Sequence, residues 1–197
     1  MINVYDDFFP KEIQNKIWNI LVPGKWGICP GRGFWHTNGL EKDDFFSEYL
    51  VNTICKKIDR PFTCKRIYAN GQTAGQSGYP HEDDSNFTFL YFPNPEWQPS
   101  WSGHLIFLNR KGPEGYPNFT KEEWDWEYEY NKNDEIDKII TYKPNRAVLF
   151  PANIVHYAEA PHSHYNGLRV SLAFKFLNNK EDLPLALSDS RFPVNLE

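Results

Sequence analysis

Short apolar segments, separated by residues that form turns, make up the sequence from Thr63 onwards. Their β-branched and aromatic residues favour strands, whereas the intervening Asn70-Gly71 and Lys143-Pro144-Asn145 favour tight turns. Many short strands at such spacing predict an antiparallel sandwich or jelly roll. The candidate strands are Cys64–Asn70, Tyr79–Asp83, Phe87–Phe92, Gly103–Asn109, Trp124–Tyr130, Lys138–Tyr142, Ala147–Pro151, Asn153–Glu159 and Leu168–Phe176.

Two helices are predicted before these strands, at Pro10–Leu21 and Asp43–Ile58, because each segment repeats apolar residues at helical spacing. The Gly- and Pro-rich stretch Pro23–Gly39 between them predicts a loop. We therefore expect one domain over residues 1–197, with helices at about 9–60, a jelly-roll core at about 63–177 and a tail at 178–197. The expected fold class is mainly β (α+β), a double-stranded β-helix (jelly roll) with N-terminal helices packed on one sheet.

Charge and composition exclude several classes of function. The formal net charge is −5 and no cluster of Lys and Arg occurs, which argues against nucleic acid as a partner. No apolar run approaches the roughly 20 residues that span a bilayer, and acidic residues follow the N-terminus, so we expect a cytoplasmic protein without a membrane partner. Cys29, Cys55 and Cys64 form no paired motif and are expected to be reduced thiols.

The tripeptide His81-Glu82-Asp83 carries the first chemical signal. Alternate side chains of a strand share a face, so His81 and Asp83 would lie side by side. One imidazole and one carboxylate supply two of the three ligands of a facial Fe(II) triad, which leaves positions open for a co-substrate and O₂. Alone this tripeptide occurs often by chance, and the alternative is a surface histidine beside the solvated Asp84.

Two further segments strengthen the signal. His156 opens a candidate strand among apolar neighbours and is a candidate third ligand, although a hydrogen-bonded core histidine is the alternative. Arg169 and Ser171 alternate within the apolar strand Leu168–Phe176. An arginine there must emerge at an edge or meet a buried anion, and the far carboxylate of a dicarboxylate is such an anion.

The combination His81-x-Asp83, a distal His156 and a following Arg169-x-Ser171 resembles the iron- and 2-oxoglutarate-dependent dioxygenases, most closely their prolyl 4-hydroxylase-like branch. The resemblance covers about Tyr68 to Phe176. It departs from the family at Ser102-Gly103-His104, where a Gly-Gly-Glu sequence is usual. Further segments similar to that branch are Tyr68-Ala69-Asn70-Gly71-Gln72, Phe89–Trp97 and Ile140–Pro151.

The resemblance implies a complete set of site residues and cofactors. Fe(II) would bind His81, Asp83 and His156, which would also be the catalytic set. The far carboxylate of 2-oxoglutarate would bind Arg169, with Tyr68 and Ser171 adding hydroxyl groups. The implied reaction uses O₂ to hydroxylate a C–H bond while 2-oxoglutarate is decarboxylated to succinate and CO₂. Ascorbate is implied as an accessory cofactor.

For the substrate, the resemblance favours peptidyl proline, with another protein residue or a small molecule as alternatives. The polar segment Arg110–Glu135, which contains Trp124 and Trp126, is predicted to leave the barrel and to contact an extended peptide or, alternatively, to be a merely solvated loop. The competing function is a non-redox, cupin-like metal-binding protein or isomerase on the same fold. The oligomeric state stays open.

Overall fold

The computed structural model describes residues 1–28, 33–111 and 133–178, and their core is a set of antiparallel strands. Two helices, α1 (Lys11–Leu21) and α2 (Val51–Ile58), precede most of these strands, and a π-helical segment, Phe45–Leu50, leads directly into α2. The strands are β1 (Asn3–Tyr5), β2 (Gly27–Ile28), β3 (Trp35–Thr37), β4 (Thr63–Gln72), β5 (Phe87–Tyr91), β6 (Leu105–Lys111), β7 (Ile136–Ile140), β8 (Ala147–Pro151), β9 (Ile154–Ala158) and β10 (Arg169–Leu177).

The strands form two sheets. The larger sheet has the order β1-β8-β5-β10-β4-β3-β2, and the smaller has the order β7-β6-β9. Neighbouring strands are antiparallel in both sheets, and the sheets pack face to face as a double-stranded β-helix. Between them lies an apolar core in which the Phe107 ring of the smaller sheet packs edge-on against Phe150 of the larger, with ring centroids 4.9 Å apart. The predicted jelly roll is confirmed.

The helices cover the outer face of the larger sheet. Ile13, Ile17 and Leu21 lie one turn apart on α1 and are buried against the sheet. Leu172 and Phe174 of β10 belong to the same cluster, so alternate residues of β10 face the helices and the remaining ones face the inner core. This alternation determines which side chains of β10 point into the candidate site.

The N-terminal region departs from the prediction. The predicted loop Pro23–Gly39 contains β2 and β3, which pair with each other, and β3 also pairs with β4. β1 pairs with β8 at the opposite edge of the larger sheet, so the sheet includes residues before the predicted core boundary of 63. Strands of two or three residues are too short to show an alternating pattern, and only pairing with a longer strand stabilises them.

Two further elements differ from their predictions. The single helix predicted at Asp43–Ile58 is divided between the π-helical segment and α2. The predicted strand Tyr79–Asp83 forms only one bridge, between His81 and His156. The predicted strand Trp124–Tyr130, most of the Arg110–Glu135 segment and the tail from residue 179 lie outside the described residues.

The cysteines and the helices can be compared with what the sequence predicted for disulfides and membrane spans. Cys55 and Cys64 are free, and burial raises the pKa of Cys64 to about 12, so this thiol is unreactive at neutral pH. Cys29 lies outside the described residues. Within the described ranges, none of the helices has the length and apolar character needed to cross a membrane.

Candidate metal centre

Backbone hydrogen bonds bring the three predicted metal ligands together. His156 lies in β9, whereas His81 and Asp83 lie in the segment that leads into β5. The backbone N–H of each histidine donates to the carbonyl of the other, both at 2.9 Å, and the N–H of Asp83 donates to the Ala152 carbonyl at 2.8 Å. Two segments far apart in sequence are thereby fixed side by side, and the three side chains share one place.

The side chains of this triad present a set of nitrogen and oxygen donors. His81 Nε2 lies 3.6 Å from Asp83 Oδ1, and His156 Nε2 lies 3.4 Å from Asp83 Oδ2. Nδ1 of His81 is 2.8 Å from the Tyr79 carbonyl, and Nδ1 of His156 is 2.8 Å from the Ile154 carbonyl. Because a carbonyl only accepts, each Nδ1 must carry the proton, which leaves the Nε2 lone pairs directed at a shared point.

This arrangement fits a divalent metal ion. One ligand atom from each of His81, Asp83 and His156 lies within 4.8 Å of the other two, and the described residues contain no other such group. Two neutral imidazoles and one carboxylate match the facial set that holds non-haem Fe(II) with open coordination positions. The other histidines His104, His162 and His164 are not part of the group.

Arg169 lies at the start of β10, fully buried, without an ion-pair partner in the described ranges. Its Nε donates to the Gly103 carbonyl at 2.7 Å and its Nη1 to Gln72 Oε1 at 2.8 Å. Its Nη2 is buried and has no hydrogen-bond partner among the described residues. Burial lowers the pKa of Arg169 to about 10, so the group is still cationic at neutral pH. A buried cation with an unused donor is the feature that a bound anion would complete.

Contacts through Gln72 place Arg169 near the triad. The Gln72 side chain accepts from Arg169 and donates to the Ala158 carbonyl at 3.3 Å. Ala158 follows His156 by two residues in β9, which corresponds to about 7 Å along a strand. The guanidinium therefore lies within reach of a small diacid whose other end occupies the triad.

Among the comparisons with known proteins, only the comparison with solved structures finds matches. No family model matches this sequence. No protein of curated function matches it. A prolyl hydroxylase from Trichoplax adhaerens, solved with a hypoxia inducible factor oxygen degradation domain peptide fragment, has a TM-score of 0.60 and 15% identity, covering 93% of this chain and 86% of that chain.

Two further solved structures give similar values. HygX from Streptomyces hygroscopicus, with nickel and 2-oxoglutarate bound, has a TM-score of 0.62 and 11% identity, covering 89% of this chain and 82% of that chain. The non-heme α-ketoglutarate-dependent epimerase SnoN from nogalamycin biosynthesis has a TM-score of 0.60 and 10% identity, covering 89% and 77%.

The chain has the fold of the 2-oxoglutarate-dependent oxygenases. The resemblance predicted from the sequence is thus confirmed in its fold. The His-Asp-His group present in this oxygenase fold is formed by the residues that the sequence pattern named.

The pairing of β10 with β4 places the other two predicted site residues, Ser171 and Tyr68, on the inner face of the oxygenase fold. Ser171 is in phase with Arg169 in β10 and is buried. Tyr68 lies opposite Ala173, in phase with both, and burial raises the pKa of its phenol. Tyr91 faces the helix layer instead, where its hydroxyl is 2.9 Å from Asn145 Oδ1. Phe92 is the neighbour that turns inwards, against Arg169.

Lys175 and Thr88 belong to the site although the sequence pattern did not select them as site residues. Lys175 Nζ contacts Asp83 Oδ2, and the Thr88 hydroxyl donates to the same oxygen at 2.6 Å. Burial alone would raise the pKa of Asp83, yet the positive charge of Lys175 holds it well below its usual range. Burial would likewise lower the pKa of Lys175, but the Asp83 carboxylate leaves it raised. Lys175 follows Arg169 by an even number of residues, so strand alternation was the signal available for finding it.

The His81 ring should make the metal-free protein sensitive to acid. Burial, together with the nearby His156, lowers the pKa of His81 from 6.5 to about 3. Between these values the unfolded chain binds a proton that the folded chain does not, so stability is present above pH 6.5 and is lost as the pH falls. We expect a loss of about 1.4 kcal/mol per pH unit from this group.

Urea unfolding at pH 6, 5 and 4 in the presence of a chelator measures this effect. His81→Gln removes the titrating ring from both states, so its free energy of unfolding should depend less steeply on pH than that of the wild type. Parallel slopes for the two proteins would show that His81 is already protonated in the folded state.

Proposed function

We propose that this protein is an Fe(II)- and 2-oxoglutarate-dependent oxygenase that hydroxylates a C–H bond and converts 2-oxoglutarate to succinate and CO₂. One observation carries the proposal: the neutral-imidazole and carboxylate triad shares the inner face of the fold with a buried arginine that has an unused donor. A metal site without redox function would need no such cation.

The described residues have distinct roles in the proposed reaction. His81, Asp83 and His156 would hold the iron, and Arg169 would hold the far carboxylate of 2-oxoglutarate, with Tyr68 and Ser171 as hydroxyl donors beside it. Bound iron would supply the activation of O₂ that the side chains cannot provide. Phe107 and Phe150 pack around His156, with ring centroids 5.8 Å and 4.7 Å away, and would keep water from the ligands.

A strained turn supports the arginine. Ser102 has a φ of 54° and a ψ of −128°, and Gly103 has a φ of 75°. The turn directs the Gly103 carbonyl to Arg169 and the Ser102 carbonyl to the Trp97 indole, which donates at 3.0 Å. A Cβ at Gly103 would lie 2.9 Å from Trp97 and 3.2 Å from Arg169, so a side chain there would displace the guanidinium.

For the substrate we propose peptidyl proline. Its support is the motif resemblance to prolyl 4-hydroxylases and the shared fold with prolyl hydroxylases from Trichoplax adhaerens and Pseudomonas putida. Small molecules are the alternative, because a HygX structure contains hygromycin B and SnoN is an epimerase of nogalamycin biosynthesis. The first assay should therefore follow the conversion of 2-oxoglutarate, which does not depend on which primary substrate is used, and not the hydroxylated product of one chosen substrate.

Succinate formation is that assay. The purified protein is loaded with Fe(II) without oxygen, 2-oxoglutarate and ascorbate are added, and air is then admitted. We expect succinate to form only when iron, 2-oxoglutarate and O₂ are all present, and proline-containing peptides to increase its rate. A protein that binds metal in the triad but forms no succinate under any of these conditions would favour the cupin-like, non-redox alternative.

A further inference from the structure

Lys175 forms an ion pair with one oxygen of Asp83, the carboxylate that would bind the metal. It lies in β10 with 1% of its surface exposed, and its Nζ contacts Asp83 Oδ2. The ammonium also donates to Thr88 Oγ1 at 3.0 Å, and that hydroxyl donates to Asp83 Oδ2 at 2.6 Å. Oδ2 is thus held by two donors, whereas Oδ1 faces His81 Nε2. A metal ion bound by Asp83 would therefore have Oδ1 available as a ligand, while the positively charged Lys175 ammonium stays fixed at Oδ2.

The neighbouring Asp84 shows that Lys175 serves Asp83 in particular. Asp84 is also buried, and its two oxygens bind Lys65 Nζ at 2.7 Å and Arg66 Nη2 at 2.8 Å. Lys65 and Lys175 are therefore two buried lysines, each paired with one of two consecutive carboxylates. Of these two carboxylates, only Asp83 belongs to the triad. This pair of lysines provides a matched comparison within the same protein.

Two positive charges would then share one carboxylate when a metal ion binds. Like charges a few Å apart in a protein repel strongly enough to change an equilibrium by one or two orders of magnitude. Arg169 adds a third buried positive charge on the same inner face. A dianionic 2-oxo acid, with one carboxylate near the metal and one near Arg169, would balance these charges.

We propose that Lys175 couples the two binding steps: it weakens binding of the metal alone and makes tight metal binding depend on the dianionic co-substrate. Lys175 is thus a positioning residue that acts through Asp83. This inference rests on the proposed function, because it takes 2-oxoglutarate as the dianion. By linkage, the factor by which 2-oxoglutarate strengthens metal binding equals the factor by which metal strengthens 2-oxoglutarate binding.

Binding of Mn(II) tests the coupling without turnover. The affinity for Mn(II) is measured with and without 2-oxoglutarate in the wild type, Lys175→Gln, Lys175→Arg and the control Lys65→Gln. In the wild type, 2-oxoglutarate should strengthen Mn(II) binding at least about tenfold, as expected for a repulsion of this size. Lys175→Gln keeps a hydrogen-bond donor but loses the charge, so it should bind Mn(II) alone at least about tenfold more tightly than the wild type and show a smaller effect of 2-oxoglutarate.

The controls separate charge from structure. Lys65→Gln should behave like the wild type in both measurements, and Lys175→Arg should keep the strong dependence on 2-oxoglutarate. If Lys175→Gln does not fold, Lys175→Met gives the same comparison with an apolar side chain of similar length.

Weaker Mn(II) binding in the neutral Lys175 variant, or an undiminished effect of 2-oxoglutarate, would overturn the inference. If 2-oxoglutarate changed Mn(II) affinity in none of the proteins, including the wild type, the proposed function itself would fail.

Discussion

Replacement of His156 by alanine is expected to abolish both metal retention and turnover. His156 Nε2 is one of the three donors, the residue is 5% exposed, and its backbone is hydrogen-bonded to His81. Loss of a residue that only orients a ligand costs about 10–100-fold in metal affinity or activity, so loss of the ligand itself should cost more. Fe(II) or Mn(II) content after gel filtration and succinate formation measure the two effects.

His162→Ala is the matched control for this variant, because His162 is a histidine that lies outside the triad. It should retain metal and activity. Thermal unfolding of both variants shows whether the fold survives. A folded His156→Ala protein with normal metal content would mean that the triad is not the metal site.

The strands were predictable where the sequence repeats a local pattern. β5, β8 and β10 have boundaries within one residue of the segments predicted for them, because their residues are apolar, β-branched or aromatic and are followed by turns. β2 and β3 were predicted as loop, since they form by pairing of β3 with β4 and of β2 with β3, which no local pattern reveals. Long-range pairing is the information that a single segment does not contain.

The triad was predictable for a different reason. The spacing of His81 and Asp83 favours a shared face, although the segment forms one bridge and not the predicted strand. The bridge suffices, because it pairs His81 with His156 directly. Recognition of the distal histidine depended on the whole motif set and not on periodicity.

Lys175 was harder to predict than its phase suggests. Its contact with Asp83 depends on the register that sets Lys175 opposite Thr88 in β5. The pairing of β10 with β4 also shifts between Lys175 and Phe176, next to Arg66 and Cys64. An apolar strand that contains one lysine gives no indication of which carboxylate the lysine will meet.

Replacement of Arg169 by alanine should weaken binding of 2-oxoglutarate by more than tenfold. Removing one partner of a buried charge pair costs about 2–5 kcal/mol, and each 1.4 kcal/mol is a factor of ten in affinity. The guanidinium has an unused Nη2 inside the fold, and Tyr142 and Phe92 stack near it, with ring centroids 5.0 Å and 5.6 Å away. Water cannot replace the lost interaction well in such surroundings.

The choice between co-substrates gives this prediction a second measurement. Pyruvate lacks the far carboxylate, so the wild type should prefer 2-oxoglutarate strongly, whereas Arg169→Ala should discriminate little between the two acids. Titration of the Mn(II)-loaded protein with each acid yields both affinities. Reduced discrimination is the informative result, because general damage to the fold would weaken binding of both acids alike.

Arg146→Ala is the control, because it makes the same substitution at an arginine outside the candidate site. Its guanidinium already binds Asp6 at 2.7 Å and the Thr141 carbonyl at 2.9 Å near the surface. We therefore expect Arg146→Ala to leave the affinity for 2-oxoglutarate unchanged. If Arg169→Ala retained full affinity and discrimination, the far carboxylate would have to bind elsewhere. Lys175 would then be the remaining candidate, since it is the other buried cation on the inner face of β10.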